Sequence, residues 1–389
     1  MNILIVGYPY IKENYFNTFN FHSEKDKIFF LLPKIWKAKG GKIKFYPPSK
    51  DNVYTAGAYF YHSNYPIIGG LLKGWMPLFP LILFKIRRKI DLVFSPSEPI
   101  LLTTLYQGFW AKVFGKKHIV FTWENIPYEN KFKGLNLVFK KMIIGLNLLL
   151  SDGVVCGNSK AENIFKHLTK KPIAVIPMSG VDADFFHKVN SDDFLKTYGL
   201  KDKLVFSFAG AIGYRKGIHN IISAFQKVLS VSPDSRLVIA GTGEYEGEIS
   251  ELITGFGLEN NITRVPWLSP AGLRELLSAS NVFLYPSMFY GGWEEQFGYS
   301  MAEASLMELP VISTLSGSIE DVVVNGRTGL LVKPDDAGEL EEAMIKLGQD
   351  QELRIKMGQA GRRYVVDNFT YKIIAEKFYE FFKKINLHS

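Results

Sequence analysis

The stretch from Leu204 to Ser313 constrains the fold most, because short apolar runs and helical patterns alternate through it at regular intervals. The apolar runs are Leu204–Ala209, Arg236–Ala240, Ile262–Val265, Val282–Tyr285 and Val311–Ser313. Strands that alternate with helices predict a parallel sheet covered by helices on both faces. The second half of the chain is therefore predicted to be an α/β domain of the doubly wound, Rossmann-like class.

The first half repeats this alternation less regularly. Its first strand is predicted at Asn2–Gly7, and later strands at 91–94, 115–121, 152–156 and 174–176. A helix is predicted from Phe29 to Lys39, ended by Gly40-Gly41 before a strand at Lys42–Tyr46. Further helices are predicted at Lys131–Leu150 and Ser159–Leu168. We expect two Rossmann-like domains facing a cleft, residues 1–180 and 181–370. A C-terminal helix, residues 371–389, is expected to return to the first domain.

Charge is distributed unevenly along the chain. Residues 1–185 carry 25 Lys and Arg against 12 Asp and Glu (25 − 12 = +13), whereas residues 186–389 carry 21 against 26 (21 − 26 = −5). A basic half predicts an acidic partner, either nucleic acid or an anionic membrane surface. No known nucleic-acid module matches the basic residues, so nucleic acid is not expected as a partner.

Two apolar segments next to lysines and arginines are candidates for the membrane surface. Ile67–Ile86 ends beside Arg87-Arg88-Lys89, but Lys73 and two prolines make it a poor membrane-spanning helix. The second candidate is the predicted helix Lys131–Leu150. For both segments the alternative is an ordinary buried helix. Cys156 is the only cysteine and no signal-peptide pattern begins the chain, so a cytoplasmic location is expected, peripheral on the inner face of the membrane.

Glu295 and Glu303 stand eight residues apart, with Phe297-Gly298 between them. If a helix begins near Phe297, both carboxylates can face one polar ligand near the helix N-terminus, where unpaired N–H groups favour an anion. A nucleotide sugar combines hydroxyls with phosphates and suits such a site. The alternative is a surface helix with two solvated acids.

A second motif, Gly213-Tyr214-Arg215-Lys216-Gly217, follows a predicted strand and opens a helix. A glycine-rich turn with adjacent cations suits a diphosphate. Neither a P-loop nor the dinucleotide fingerprint is present, so NAD is not expected. Asp182-Ala-Asp184 could hold a metal, but it lies in a predicted linker, and the histidines lack zinc-ligand spacing. No metal site is predicted.

Together these motifs resemble the family-4 (GT4) retaining glycosyltransferases, of the "glycosyl transferases group 1" type, which have the GT-B fold. The stretch from Glu295 to Glu303 resembles the family's E-x(7)-E signature. The resemblance covers about residues 177–335, and the first half matches only in strand order. Further matching segments are Pro177–Phe185, Gly210–Gly217, Tyr285-Pro286-Ser287, Ser316–Asp321 and Asn325–Val332.

The resemblance implies a role for each motif residue. Glu295 would hold hydroxyls of the donor sugar, Glu303 the nucleotide ribose and Lys216 the diphosphate. It also implies transfer with retention, without a metal or other cofactor. The candidate catalytic residues are Glu295, Lys216, Arg215 and Glu124, and the candidate donor-binding residues are Gly7, Gly213, Phe297, Gly298, Tyr299, Ser300 and Glu303.

The sequence departs from the family pattern at three places. The family's loop arginine falls at Ala211, so Arg215 is the candidate replacement. The glycine pair after the first strand is reduced to Gly7-Tyr8-Pro9. The loop that often contains a histidine reads Thr122-Trp123-Glu124-Asn125, which puts Glu124 or Trp123 at that position.

The predicted function is that of an enzyme, a retaining glycosyltransferase that moves a sugar from a nucleotide-diphosphate sugar to a glycan or lipid-linked acceptor in cell-surface glycan synthesis. Two alternatives remain: a nucleotide-sugar epimerase of the same fold, and an inactive sugar- or membrane-binding protein. The base, the sugar and the acceptor are left open by the sequence.

Overall fold

The computed structural model describes residues 1–21, 27–37, 43–62 and 70–387. The chain forms two compact units. One comprises Met1–Gly180 and the chain from Tyr371 onward, and the other comprises Val181–Thr370. The predicted break at Gly40-Gly41 and the first residues of the apolar segment, 67–69, lie outside the described residues.

The strands and helices of the described residues are numbered in chain order. The strands are β1 (Asn2–Val6), β2 (Lys27–Pro33), β3 (Trp36–Lys37), β4 (Ile43–Phe45), β5 (Val53–Ala56), β6 (Leu92–Ser95), β7 (Lys117–Thr122), β8 (Gly153–Cys156), β9 (Ile173–Val175), β10 (Val205–Ala209), β11 (Arg236–Ala240), β12 (Ile262–Val265), β13 (Val282–Tyr285), β14 (Val311–Thr314) and β15 (Gly329–Val332). The α-helices are α1 (Glu13–Asn17), α2 (Phe79–Ile86), α3 (Leu102–Val113), α4 (Tyr128–Lys131), α5 (Gly134–Leu150), α6 (Ser159–Phe165), α7 (Asp192–Thr197), α8 (Ile218–Val231), α9 (Glu246–Gly255), α10 (Pro270–Ser278), α11 (Tyr299–Leu306), α12 (Ala337–Gln349), α13 (Gln351–Phe369) and α14 (Tyr371–Leu387).

The first unit is built on a seven-stranded sheet in the order β5-β2-β1-β6-β7-β8-β9, in which neighbouring strands are parallel. Strands β1, β6 and β8 are buried almost throughout, as expected when helices cover both faces of a sheet. The strand order reverses between β1 and β6, which defines the topological switch point of this unit.

The helix predicted from Phe29 to Lys39 is wrong. Strand β2 occupies this region, and Trp36–Lys37 forms a short antiparallel pair with β4. The reason is tertiary: the apolar run in β2 hydrogen-bonds to β1 on one side and to β5 on the other. Pairing on both edges outweighs the weak helical periodicity of the segment. Residues 38 and 39 lie outside the described residues.

The second unit has a six-stranded sheet in the order β12-β11-β10-β13-β14-β15, again with parallel neighbours. All five strands predicted between Leu204 and Ser313 are present, each within one residue of its predicted ends. The order reverses between β10 and β13. In open α/β sheets, ligands bind beyond the carboxyl ends of strands at such a reversal.

Helix α8 shows why the helices dock on this sheet. Its buried residues Ile218, Ile221, Ile222, Phe225 and Val228 recur at intervals of three and four, which places them on one face. Helices α12 and α13 each begin at an aspartate whose carboxylate accepts a first-turn N–H, a standard N-cap. The predicted doubly wound architecture is thus confirmed for both units.

The C-terminal helix α14 packs against the first unit. Phe378 lies 5.3 Å from Phe19 and 5.5 Å from Phe94 between ring centroids, and Phe382 lies 5.3 Å from Phe94. These rings are buried, apart from slight exposure of Phe19. Aromatic burial therefore attaches the end of the chain to the unit that contains its beginning.

Helix α5 confirms the predicted helical segment near 131–150, with a break at Phe132-Lys133 after α4. One face of α5 is buried through Ile143, Ile144, Asn147 and Leu148. Within the described part of the chain, no helix has the length and apolar character needed to cross a membrane.

Candidate active site

A pocket of about 440 Å³ lies in the second unit, where the carboxyl ends of β10 and β13 meet at the switch point. Its volume falls within the range of ligand pockets, about 300–1,000 Å³. Its walls include the following residues: Ala209, Gly210, Ala211, Arg215, Lys216, Trp267, Leu268, Leu273, Tyr285, Glu295, Gly298, Tyr299, Ser300 and Glu303. The two motifs identified in the sequence thus meet in one pocket.

The Glu295 carboxylate is the centre of a charged cluster. Its Oε2 accepts a hydrogen bond from Lys216 Nζ at 2.5 Å and another from Arg215 Nη1 at 3.2 Å. The hydroxyl of Tyr285 donates to the same oxygen at 3.1 Å and also accepts from Lys216. Three of the four candidate catalytic residues are therefore in direct contact.

Burial and neighbouring charges act in opposite directions on the pKa values of Glu295 and Lys216. Burial alone raises the pKa of Glu295, but the Lys216 and Arg215 charges and their hydrogen bonds outweigh it, and the pKa lies below its ordinary value. Burial lowers the pKa of Lys216, and the Glu295 charge opposes that shift. A buried pair of this kind presents positive and negative groups side by side, which suits a ligand with both phosphates and hydroxyls.

The backbone of Glu295 is held by the segment Ser316–Asp321. Ser318 N donates to Glu295 O at 2.9 Å. Gly317 has φ +57°, and a Cβ at this position would lie 2.0 Å from Glu295 O. Only glycine fits so close to this backbone, so one motif fixes the position of the other.

Helix α11 points its N-terminus into the pocket. The helix begins at Tyr299, two residues after the predicted start, because Gly298 adopts a left-handed conformation as its N-cap. No side chain caps this end. Tyr299 and Ser300 line the pocket, whereas the Phe297 side chain is buried against Tyr299 and Phe369. The Phe297 ring is thus part of the core.

Glu303 lies one turn further along α11 and also lines the pocket. Burial raises its pKa to about 8. Its carboxylate makes no hydrogen bond or ion pair with any residue in the described ranges, in contrast to Glu295. A partly buried acid that bonds to none of these residues costs the fold stability, so its presence in a pocket points to a ligand that supplies the partner.

The loop from Gly210 to Gly217 forms the cationic wall. Gly213 begins the short 3-10 helix Tyr214–Lys216 and is not among the residues that line the pocket. Ala211 and Arg215 both line it. Arg215 Nη1 is anchored by Ser287 Oγ at 3.1 Å as well as by Glu295.

The remaining candidates, Gly7 and Glu124, belong to the first unit. Gly7 follows β1 with φ +155°, and a Cβ on it would lie 3.3 Å from Pro96 Cγ. Glu124 follows β7, and its Oε1 accepts from Lys131 Nζ at 2.6 Å and from Ile126 N at 3.1 Å. Both lie at carboxyl ends of strands of their own sheet.

Sequence reasoning assigned no role to several residues that the structure places in the sites. Tyr285 and Ser287 hold the Glu295 cluster together, and Trp267 presents a largely exposed ring to the pocket after β12. In the first unit, Glu98 accepts from Thr122 Oγ1 at 2.6 Å and Trp123 N at 2.7 Å. A polar or aromatic residue directly after a predicted strand is the signal that was available.

Glu98 and Asp182 illustrate two different roles for acids. Burial raises the pKa of Glu98 to about 7, although its hydrogen bond from Thr122 opposes this. Asp182 Oδ1 accepts from Asp184 N and Phe185 N, so it caps a local turn. This turn explains the D-x-D sequence without a ligand.

Comparisons with known proteins agree with this geometry. Residues 191–364 match the family described as glycosyl transferases group 1. The chain is 34% identical over 180 residues to CapM, a capsular polysaccharide biosynthesis glycosyltransferase of Staphylococcus aureus, covering 46% of this chain and 45% of CapM. It is 24% identical to an uncharacterized glycosyltransferase of Methanocaldococcus jannaschii, covering 98% of both chains. The chain spans about half the length of several other curated relatives that it matches.

A solved structure extends the likeness to both units. HepE of Anabaena, crystallised with UDP, has a TM-score of 0.77 at 16% identity, covering 99% of this chain and 100% of that one. The same protein has also been solved with UDP-glucose, with a TM-score of 0.73. This likeness shows the fold, and the predicted GT-B architecture of two Rossmann-like domains is confirmed. The match of residues 191–364 to the group 1 glycosyl transferases agrees with the family resemblance that the sequence motifs predict.

Proposed function

We propose that the protein is a retaining glycosyltransferase that moves a sugar from a nucleotide-diphosphate sugar to an acceptor. The observation that carries the proposal is the pocket lined by the hydrogen-bonded Lys216–Glu295–Arg215 cluster, the N-terminus of α11 and Glu303, whose carboxylate bonds to none of the described residues. These groups match the parts of one donor: the diphosphate, the transferred sugar and the ribose.

Each group has a distinct part in the proposed reaction. Glu303 accepts hydrogen bonds from ribose hydroxyls, and Glu295 accepts them from the sugar. Lys216, Arg215 and the first N–H groups of α11 stabilise the negative charge that develops on the leaving diphosphate. Because these groups supply the positive potential, the proposal includes no metal or other cofactor. Turnover that survives excess EDTA would support this part.

The identity of the nucleotide is the first thing to measure. HepE has been solved with UDP and with UDP-glucose, so these are the first ligands to test. A ligand at 100 times its Kd stabilises a folded protein by about 2.7 kcal/mol, which a thermal-shift screen of nucleotides detects readily. We expect one nucleoside diphosphate to raise Tm, and no shift with any nucleotide would count strongly against the proposal.

Turnover and stereochemistry form the second test. Sugar donors that carry the nucleotide with the largest thermal shift are incubated with glycan or lipid-linked acceptors. The product is then analysed by NMR. Retention predicts that the anomeric configuration of the donor sugar is kept. An inverted product would exclude the retaining mechanism, and interconversion of the donor sugar without an acceptor would indicate an epimerase.

The acceptor is proposed to be a glycan or a lipid-linked sugar in cell-surface glycan synthesis. CapM is by name a capsular polysaccharide biosynthesis enzyme, and the first unit offers a surface for lipid. On α5, the side chains of Leu135, Val138, Phe139, Met142 and Leu149 are exposed and recur at intervals of three, four and seven. They form an apolar stripe on the side of α5 away from its buried face.

This stripe, with the neighbouring lysines, is proposed to bind an anionic membrane surface from the cytoplasmic side. Apolar residues flanked by cations are typical of helices that lie in the membrane interface. In vesicle flotation we expect the protein to bind anionic lipids more than neutral ones, and added salt to weaken the binding. The variant Leu135→Ser with Leu149→Ser is expected to float less. Equal flotation on neutral vesicles would contradict the role of the lysines.

A further inference from the structure

The first unit contains a second pocket, of about 460 Å³, on the flank of α5. One wall is formed by Ile144, Gly145 and Leu148 of α5, and the opposite wall by Ile164 and the segment after α6 that includes Leu168. All of its lining residues belong to the first unit. We call this pocket the α5–α6 groove.

Gly145 keeps the groove open. It lies in the interior of a 17-residue helix, where glycine is less favourable than almost any other residue. A Cβ built on Gly145 would meet no atom within 4 Å, so the space beside it is empty. Gly145 is exposed, so this space opens to solvent, and the missing side chain leaves the edge of the groove uncovered at this position.

The groove is apolar inside and charged at its edge. Ile144 and Leu148 form its floor and are buried, whereas Lys141 and Glu129 stand half exposed as an ion pair at 2.5 Å. At 100° per residue, Gly145 lies on the helix between buried Leu148 and the apolar stripe. The groove thus opens next to the stripe and next to Lys141.

We propose that the α5–α6 groove holds one aliphatic chain of an anionic membrane lipid, with the lipid's charged group at Lys141. An open groove with an apolar floor suits a single chain, whereas a flat stripe suits a bilayer surface. The excess of basic residues in this half of the chain selects an anionic head group. The inference rests on the proposal that this unit works at a membrane.

The test uses soluble single-chain probes and the intact protein. Dansyl-undecanoic acid is titrated with the wild type while its fluorescence is recorded, and dodecyl phosphate or dodecyltrimethylammonium is then added as a competitor. We expect saturable binding, displacement by dodecyl phosphate, and much weaker displacement by the cation. Equal displacement by both, or no saturable signal, would overturn the proposal.

Gly145→Leu fills the groove with a better helix former, so the helix itself is not weakened. We expect it to weaken probe binding about tenfold, roughly the contribution of two buried methylene groups. Gly247→Leu is the matched control, because Gly247 is also a helical glycine with no atom within 4 Å of its Cβ position. Unchanged binding by Gly145→Leu would overturn the proposal.

If circular dichroism shows that Gly145→Leu is not folded, a second variant provides the test. Asn163→Trp places a large ring at the exposed lip of the groove and is expected to weaken probe binding by a similar factor. Flotation separates this inference from the membrane proposal. Wild-type protein that floats but binds no probe refutes the groove alone, and the nucleotide thermal shift, which depends on the second unit, is unaffected by either result.

Discussion

The two units share one topology but use it differently. In each, a parallel sheet reverses its strand order, between β1 and β6 in the first unit and between β10 and β13 in the second. At the second reversal lies a pocket with the Glu295 cluster. At the first, Gly7 packs closely against Pro96, and Glu98 bonds to its own unit.

This difference shows how one scaffold supports unlike sites. The sheet decides where loops converge, whereas the loops decide which charges meet there. In the second unit the loops bring together a lysine, an arginine and two glutamates. In the first unit the distinctive surface lies instead on helix α5, with its exposed apolar stripe and its groove. Variants in each unit should therefore affect different measurements.

The largest effect is expected from Glu295→Gln. It keeps the shape of the side chain but removes the charge that Lys216 and Arg215 contact. We expect kcat/KM for the donor to fall by about 10²–10³-fold, similar to the loss of one group that stabilises a transition state. Steady-state turnover measures it. Glu294→Gln is the neighbouring control, and loss of activity there instead of at Glu295 would show that the motif was assigned in the wrong register.

Arg215→Ala tests whether Arg215 replaces the family arginine that is missing at Ala211. A charge-assisted hydrogen bond is lost, so a decrease in kcat/KM of about 10–100-fold is expected. Ala211 lines the same pocket, so adding Ala211→Arg should restore part of the activity. Arg264→Ala, a surface arginine paired with Glu246, serves as control. If kcat/KM does not fall with Arg215→Ala, Arg215 does not belong to the active site.

Glu303→Gln is expected to weaken nucleotide binding and to increase the stability of the fold. Burial raises the pKa of Glu303 to about 8, whereas the unfolded chain has the ordinary value near 4.5. The folded wild type therefore loses stability as pH rises from about 4.5 to 8, and the glutamine variant does not. We expect the variant to be more stable by roughly 2 kcal/mol at pH 8, allowing for partial solvent contact, with little difference at pH 4.

Urea unfolding at both pH values measures this difference, and Glu342→Gln, at an exposed acid, provides the control. The same variant should show a smaller thermal shift with the preferred nucleotide. A stability difference that does not change with pH would contradict the raised pKa.

The smallest effect is expected in the first unit, from Gly7→Ala. The backbone at Gly7 has φ +155°, which alanine adopts with strain, and the new Cβ would lie close to Pro96. We expect a loss of about 1–2 kcal/mol in the free energy of unfolding. Gly57→Ala is the control, because its Cβ position is open. If the KM for the donor rises although the variant stays folded, this would support the prediction that Gly7 also contacts the donor.

Much of the second unit could be predicted from the sequence. Its strands are short, buried and separated by clear helical patterns, so local periodicity and the final structure agree. The first unit was harder because its segment from Phe29 is decided by strand pairing on both edges of β2. Local pattern does not contain that information.

The candidate site likewise contains residues that the sequence predicts and residues that only the structure shows. Motif spacing identified Glu295, Glu303, Lys216 and Arg215, because each lies next to a strand end or helix start along the chain. It did not identify Tyr285 or Ser287 as partners of this cluster, nor Glu98 or the groove beside Gly145. These features depend on contacts between residues far apart in sequence.

By itself, the sequence determined two α/β units, the resemblance of the second unit to the group 1 glycosyl transferases, and the acids and cations of its pocket. Periodicity and motif spacing are local, and local patterns suffice for these. Only the tertiary structure decided that Lys216 and Arg215 both bond to Glu295 while the Glu303 carboxylate bonds to no residue in the described part of the chain. It also decided that α5 is apolar on two sides, because burial is a property of the packed molecule.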